Sequence, residues 1–553
     1  MKLLASIVVS VLDVSTDAGN QLESILSQNS SKDSKPDEIQ EEVKESENNQ
    51  NSTGPYVFAH VVQGNSQNYT REQWELDMKV AQEAHIDAFA INIGTDPSND
   101  QQLPMIYEVA EEVGFKVFIS FDMNYYAYND SSKDIISRTL QFSKRKSQFK
   151  YKGKVFLSTF SGEVPGTFMN GNPNYTSAWC TLKASLRGHG VDLTFLNVKN
   201  HFIYLKSPGW TGIEPSTSRC ADGLLSWDAW PHVSNDIPSS DQLTYNVTIQ
   251  ESLYFPDKAA MKAARAVSKT FMAPVSPFFF KHLDSSTADN YIYRGDDWMM
   301  VNRYTKLIQQ KQKPEFIELL TWNDYRIQRI YIIFYFNASK GESHYLRDPQ
   351  PSANLPIGAV SAHQYVDGFS HSALLEMLSY FNQKTKQPVL VNRWYKNGKP
   401  PVIEKTKLYV WYRPHVKTAV ATADVLPVPA YANLTEDRIY GYVIPAPNTT
   451  VFSIRVLSGY QVLEQPLFQA NLTQHQLSKN SSELCEIYED RSTNNEVELD
   501  GTGILISAPF EPGTQRFELL DKSGQTLASL DGLEVTVTPN TYNFNYWSAS
   551  ISA

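Results

Sequence analysis

Polar side chains recur where short apolar runs of this chain come to an end. His60, Asn92, Asp122, Glu163, Asp228, and Asn323 with Asp324 all stand at such positions. Four of the ends carry a carboxylate beside Tyr, Trp or Phe: Asp122, Glu163, Asp228 and Asp324. A positioned carboxyl can give or take a proton. Flat aromatic faces with polar rims suit sugars. The combination fits a hydrolase acting on a glycan. One such residue would carry no information, since strand ends meet polar loops; the recurrence does. His60, Asp122 and Asp228 could also be grouped as metal ligands, but no ligand spacing marks them, and neither metal nor cofactor is expected.

The elements that must hold these residues follow from periodicity. Apolar runs rich in β-branched and aromatic residues occur at Tyr56–Val62, Asp87–Gly94, Lys116–Met123, Lys154–Glu163, Leu193–Val198, Leu224–Trp230, Met272–Phe280 and Phe316–Tyr325. Amphipathic helical patterns separate most of them. The clearest is Thr70–His85, where Thr70 is placed to cap and Gln73 to complete a capping box. Alternating strands and helices predict a parallel sheet, and eight strands in about 270 residues is the size of a (β/α)8 barrel. In a barrel the C-terminal strand ends form the rim that carries chemistry. A doubly wound open sheet is the competitor. No GxGxxG follows the first strand, which leaves nucleotide binding unsupported.

Beyond residue 415 the chain turns rich in Val, Thr, Pro and Asn, with closely spaced turn signals. That texture predicts a β-sandwich, either a brace for the barrel or a glycan binder. The fold class is α/β, a (β/α)8 TIM barrel over residues 55–415 followed by a C-terminal β-sandwich over 416–553. Residues 1–18 read as a secretory signal: Met1-Lys2, ten small or apolar residues, then Thr16-Asp17-Ala18. Residues 19–54 read as an acidic, disordered linker. Eleven Asn-X-Ser/Thr sequons suit a secreted, cell-wall location. The three cysteines allow two readings: a Cys180–Cys220 bridge with Cys485 free, or three buried thiols.

Composition narrows the partners. Residues 28–54 hold seven acids against three lysines and residues 1–27 three acids against one lysine, leaving −5 of the net −11 for the rest. A duplex nucleic-acid binder would need a basic face, and this balance argues against one. No apolar run is long enough to span a bilayer. A monomer acting on an uncharged polymer is the expectation. The 30 Tyr, 27 Phe and 10 Trp divide between barrel core and a sugar-stacking cleft.

Several ordered blocks carry a specific resemblance: FAHVVQGN with YTREQWELDMKVAQEAHIDAFAINIG, VFISFDMNYY, LLSWDAWP, SPFFFKHL, LLTWNDY with GESHYL, and WYRPH at Trp411–His415. Together they resemble glycoside hydrolase family 71, the fungal α-1,3-glucanases or mutanases. The resemblance implies a barrel with an accessory β-sandwich. It also implies endo-hydrolysis of α-1,3-glucan with inversion. That family's carboxylates lie in a Trp-Asn-Asp-Tyr-Gly-Glu-Ser-His motif, where the Asp matches Asp324 and the Glu matches Glu342; Asp122 matches a further carboxylate. Inversion needs a protonated carboxyl for the leaving oxygen and an ionised one for water, about 6.5–9.5 Å apart. Glu342 is assigned as acid and Asp324 as base, although the residues allow the reverse. Trp227, Trp230, Trp322, Tyr125 and Tyr126 are candidates to stack on sugar rings. His344 is a candidate to bond a carboxylate or a sugar hydroxyl.

The motif is interrupted. The Asp and Glu stand three apart in the family and eighteen apart here, because Arg326–Lys340 (RIQRIYIIFYFNASK) intervenes. Val198–Gly209 forms a second interruption. Both segments are rich in Ile, Phe, Tyr, Asn and Lys, whose codons are A/T-rich, and so one or both read as introns retained in the coding sequence. The competing reading is a genuine insertion that disables the site and leaves a glucan-binding or wall-structural protein. Sequencing the spliced message should show one or both segments removed; a mature message that contains both overturns the intron reading.

Overall fold

The structure, a computed structural model, describes residues 55–126, 131–162, 175–199, 220–227, 229–230, 260–282, 290–293, 299–309, 313–325, 341–342, 344–350, 365–385, 403–446, 448–467, 486–488 and 503–553. The signal and linker readings, Glu163, Asp228, Cys485, residues 326–340 and most of the second interruption lie outside them. Residues Thr53–Ala553 form one compact unit.

Eight parallel strands close into a barrel. They are β1 (Tyr56–Val62), β2 (Ala88–Ile93), β3 (Lys116–Asp122), β4 (Lys154–Phe160), β5 (Leu193–Lys199), β6 (Gly223–Ser226), β7 (Thr270–Val275) and β8 (Phe316–Leu319). Each pairs with its neighbours in order, β8 pairs with β1, and β3 pairs directly with β4. Val198 and Lys199, read in the sequence as the start of an interruption, instead belong to β5 and pair with β6. Helices α1 (Arg71–Glu83), α2 (Asn99–Val113), α3 (Ser131–Phe142), α4 (Tyr175–Gly188), α5 (Met299–Gln309) and α6 (Ser372–Thr385) accompany the barrel. The expected capping box opens α1, with the Thr70 amide donating to Gln73 Oε1 at 2.9 Å. The bridge reading of the cysteines is the one formed: Cys180 on α4 is joined to Cys220 ahead of β6.

Strand alternation sorts the side chains. In β1, Val57, Ala59 and Val61 join the main core with Trp74, Met78 and Ala81 of α1. Phe58 points the other way, into a cluster with Phe118, Phe149, Phe156, Leu196, Leu225, Met272 and Phe316. Its rings meet mostly edge-on, with centroids 5.0 Å apart for Phe58–Phe118 and 4.8 Å for Phe118–Phe156. Much of the phenylalanine content is therefore the packed floor of the barrel, and it sits below the rim residues in the strand direction.

The C-terminal part is a β-sandwich. One sheet runs β13–β14–β10–β9–β17, from Glu486–Tyr488, Ile504–Pro509, Arg438–Ile444, Lys407–Tyr412 and Trp547–Ser552. The other runs β12–β11–β15–β16, from Gln461–Pro466, Ser453–Ser458, Gln515–Leu520 and Thr526–Asp531. The first strand of this part, β9, begins at Lys407, ahead of the boundary placed at 415/416. It explains its own sequence, KLYVWY. Leu408, Val410 and Tyr412 face the sandwich core, while Tyr409 and Trp411 face the barrel-side core. Both faces are covered, so the strand is apolar at nearly every position.

Barrel and sandwich share that second face. Phe381 of α6 stacks on Tyr442 of β10 at 5.5 Å and on Tyr304 of α5 at 5.4 Å. Phe381→Ala should remove a buried ring and leave a cavity, lowering unfolding free energy by about 3–5 kcal/mol. A shift of the denaturant midpoint at constant slope is the reading expected.

Candidate active site

Asp122 ends β3 at the barrel mouth and keeps a partial opening to solvent. Burial among protein atoms pushes its carboxyl up to about 7; the Asn124 amide and the His60 charge oppose this, and the nearby charge of Asp324 adds to it. His60 lies deeper on β1. Its Nδ1 meets Glu318 Oε1 at 2.9 Å, and both side chains are almost wholly buried. Trp227 packs edge-on against the His60 ring at 4.9 Å and against Phe160 at 4.8 Å. His60, Asp122, Asp324 and Trp227 are thus gathered in one region of the barrel. Asn92, nearly buried, lies on β2 between Val62 and Ser120.

Asp324 is held from three sides. Its amide donates to Thr321 Oγ1 at 2.9 Å, Asn65 Nδ2 lies 3.4 Å from its Oδ1, and its backbone pairs with His344. That pairing bears on the interruption. Asn323 opposes Tyr345 and Asp324 opposes His344 in antiparallel register. Behind them the Leu346 amide donates to Thr321 O and the Arg347 amide to Trp322 O, both at 2.9 Å. The two halves of the broken motif are thus paired at Asn323–Asp324 and His344–Tyr345, one on each side of residues 326–340. Gly341–Glu342 forms the edge of a rim sheet against Phe279–His282.

Other candidates are placed elsewhere. Trp322 is fully buried in the layer outside the barrel, donating to Asp77 Oδ2 at 3.0 Å and packed on Phe89 at 5.0 Å. It cannot present a face to sugar. Tyr126 is likewise buried, its hydroxyl on Gly94 O at 3.1 Å. Trp230 is only 5% exposed within a cluster of Phe279, Tyr291, Met299 and Leu320. Asn323 is fully buried and uses its amide to tie β1 down: Val62 N donates to its Oδ1 at 2.8 Å, and its Nδ2 donates to Ser66 Oγ at 2.8 Å. Of the five candidate stacking aromatics, Tyr125, 45% exposed, and partly exposed Trp227 remain open to a ligand. Tyr125 lies against Gly94, where a Cβ would come within 3.0 Å of the ring.

Two residues escaped the sequence reading. Glu318 stands inside a strand and not at its end; an acid within the apolar run FIELL was the available signal. Asn65 lies in a turn after β1, at the end of the block FAHVVQGN, in which only His60 was singled out.

A family model for glycosyl hydrolase family 71 matches residues 53–553. The chain belongs to glycosyl hydrolase family 71. It is a glycoside hydrolase. A Schizosaccharomyces pombe protein named glucan endo-1,3-alpha-glucosidase agn1 is 32% identical over 404 residues, covering 71% of this chain and 79% of that protein. A Penicillium rubens mutanase is 30% identical over 518 residues, covering 92% of this chain and 91% of its own length. The ascus wall endo-1,3-alpha-glucanase of S. pombe is 26% identical over 381 residues, 68% of this chain and 75% of that protein.

The raised Asp122 carboxyl has a stability consequence. Between its ordinary value of 3.8 and about 7 the folded protein binds a proton that the unfolded chain has lost. This contribution therefore favours folding in acid and is lost as pH rises through 7. Asp122→Asn removes it. The melting temperature of the variant relative to the parent should rise between pH 4.5 and pH 7.5, as read by calorimetry.

Proposed function

We propose that this hydrolase cleaves α-1,3-glucan internally with inversion, outside the cell, at the fungal wall. Asp324 acts as general base on water and Glu342 as general acid on the leaving oxygen. Asp122, protonated in part near neutrality, bonds a sugar hydroxyl or supports the acid's proton. Tyr125 and Trp227 offer the sugar faces; His60 and Asn92 supply polar contacts at the same mouth. The substrate rests on the names borne by the relatives. Export fits the Cys180–Cys220 disulfide.

The observation that carries the reading is the register across the interruption. Asp324 pairs with His344, which follows Glu342 by two residues, the same Glu-Ser-His spacing as in an unbroken motif. The described residues on either side of positions 326–340 are thereby held side by side at Asp324.

Glu342→Gln and Asp324→Asn should each lower release of reducing ends from insoluble α-1,3-glucan about 10²–10⁴-fold, with the melting temperature unchanged. The first product of the parent enzyme should be the β-anomer by NMR. Glucan binding without release by the parent chain would favour the disabled-site reading instead.

A further inference from the structure

We propose that the β-sandwich domain positions the strand bearing Glu342 through a buried clamp between His282 and Asp424, which makes these two positioning residues for glycan hydrolysis. The inference rests on the reading of Glu342 as a catalytic carboxylate.

The rim sheet has Phe279–His282 at its centre. On one side Gly341 opposes His282 and Glu342 opposes Lys281. On the other, Asn290–Tyr293 pairs with the same strand, Asn290 opposite His282. The sheet does not stop there. The Ala430 amide donates to Asn290 O at 2.9 Å, and the Ile292 amide to Ala430 O at 3.1 Å. Ala430 comes from the segment between β9 and β10, within the sandwich domain. A continuous ladder therefore runs from that domain, through two rim strands, to the backbone of Glu342.

The clamp locks this ladder. His282 Nδ1 lies 2.6 Å from Asn290 Oδ1 and Nε2 lies 3.1 Å from Asp424 Oδ2. Asn290 Nδ2 donates to Pro427 O at 2.9 Å, which fixes the amide with its oxygen toward the imidazole. Both ring nitrogens thus face acceptors and both donate. Asp424 also accepts the Tyr542 amide at 2.7 Å and the Leu426 amide at 3.0 Å. Burial works to raise its carboxyl, but the bonds from His282 and the two amides outweigh it and hold the group below its ordinary value. The side chains of His282 and Asp424 are inaccessible to water. Phe280, Ile292, Tyr365 and Phe544 close an apolar cluster around the ring.

A buried ion pair is weak evidence for stability, because two charges leave water to form it; its best-attested use is to specify register. Here the register concerns the strand opposite Glu342. A displacement near 1 Å at a catalytic group can cost about 10²-fold in rate, whereas sugar binding elsewhere in the cleft is untouched.

Asp424→Asn keeps shape and removes the charge. On soluble carboxymethylated α-1,3-glucan, kcat per folded molecule should fall about 10- to 100-fold with KM within twofold. Pairing it with His282→Gln restores an amide-to-amide bond and should recover most of the loss. If Asp424→Asn does not fold, Asn290→Ser, which frees Nδ1 and the Pro427 carbonyl but keeps the ion pair, should show the same split in weaker form. Parent kcat in whichever folded variant is measured overturns the proposal, even if its melting temperature drops. Glu342→Gln is assayed alongside. If that variant still hydrolyses glucan, the reading of Glu342 has failed; if it is inactive while Asp424→Asn keeps parent kcat, only the clamp has failed.

Discussion

The buried carboxylate of Asp77 is the point on which the interrupted motif hangs. It sits on α1, outside the barrel, fully shielded from solvent. Trp322 Nε1, Arg347 Nε and Gln350 Nε2 each reach it at 3.0 Å. Burial pushes its carboxyl up, and the Arg347 charge and the three donors reduce that rise without cancelling it. Trp322 precedes the interruption of the motif, whereas Arg347 and Gln350 follow it. One carboxylate therefore grips both ends of an excursion that would otherwise be free to separate them. Removing a donor would leave a buried acceptor partly unsatisfied, which is why such a hub is hard to dismantle piecemeal.

From that hub the site is built outward in layers. Asn323 turns its amide back onto β1 and Ser66, fixing the start of the hairpin against the barrel wall. Tyr345 packs on Tyr325 at 5.1 Å and lies flat on His371 at 4.0 Å, fixing its return. His371 in turn bonds Tyr345 O at 2.6 Å and Asn545 Oδ1 at 3.0 Å, which carries the support into the sandwich domain. The accessory domain thus meets the motif twice, at His371 and at His282. Below, the phenylalanine floor leaves room for a polar layer of His60 and Glu318 just beneath the mouth.

The same aromatic excess proved to have several physical roles. Trp322, Tyr126 and Trp230 are motif residues by sequence, yet each is spent on packing or on a single buried hydrogen bond. Composition and local spacing cannot separate a ring that faces a cleft from one that faces a helix. Only the direction of the strand or turn that carries it does so. Tyr125 and Tyr126 are adjacent and end on opposite sides of that distinction, one 45% exposed and the other fully buried.

The sequence by itself determined eight strands and most of the helices, because apolar periodicity is a local property of the chain, whereas closure of the sheet into a barrel rests on the long-range pairing of β8 with β1. It also determined the family, through motifs short enough to read in order. It left two readings for the cysteines and could not say that Glu318 and Asn65 belong to the mouth. Those depend on pairs such as His60 with Glu318, 258 residues apart, and Asp77 with Gln350, 273 residues apart. Tertiary structure alone decides them, because contacts at that separation are set by closure of the barrel and by docking of the sandwich against it.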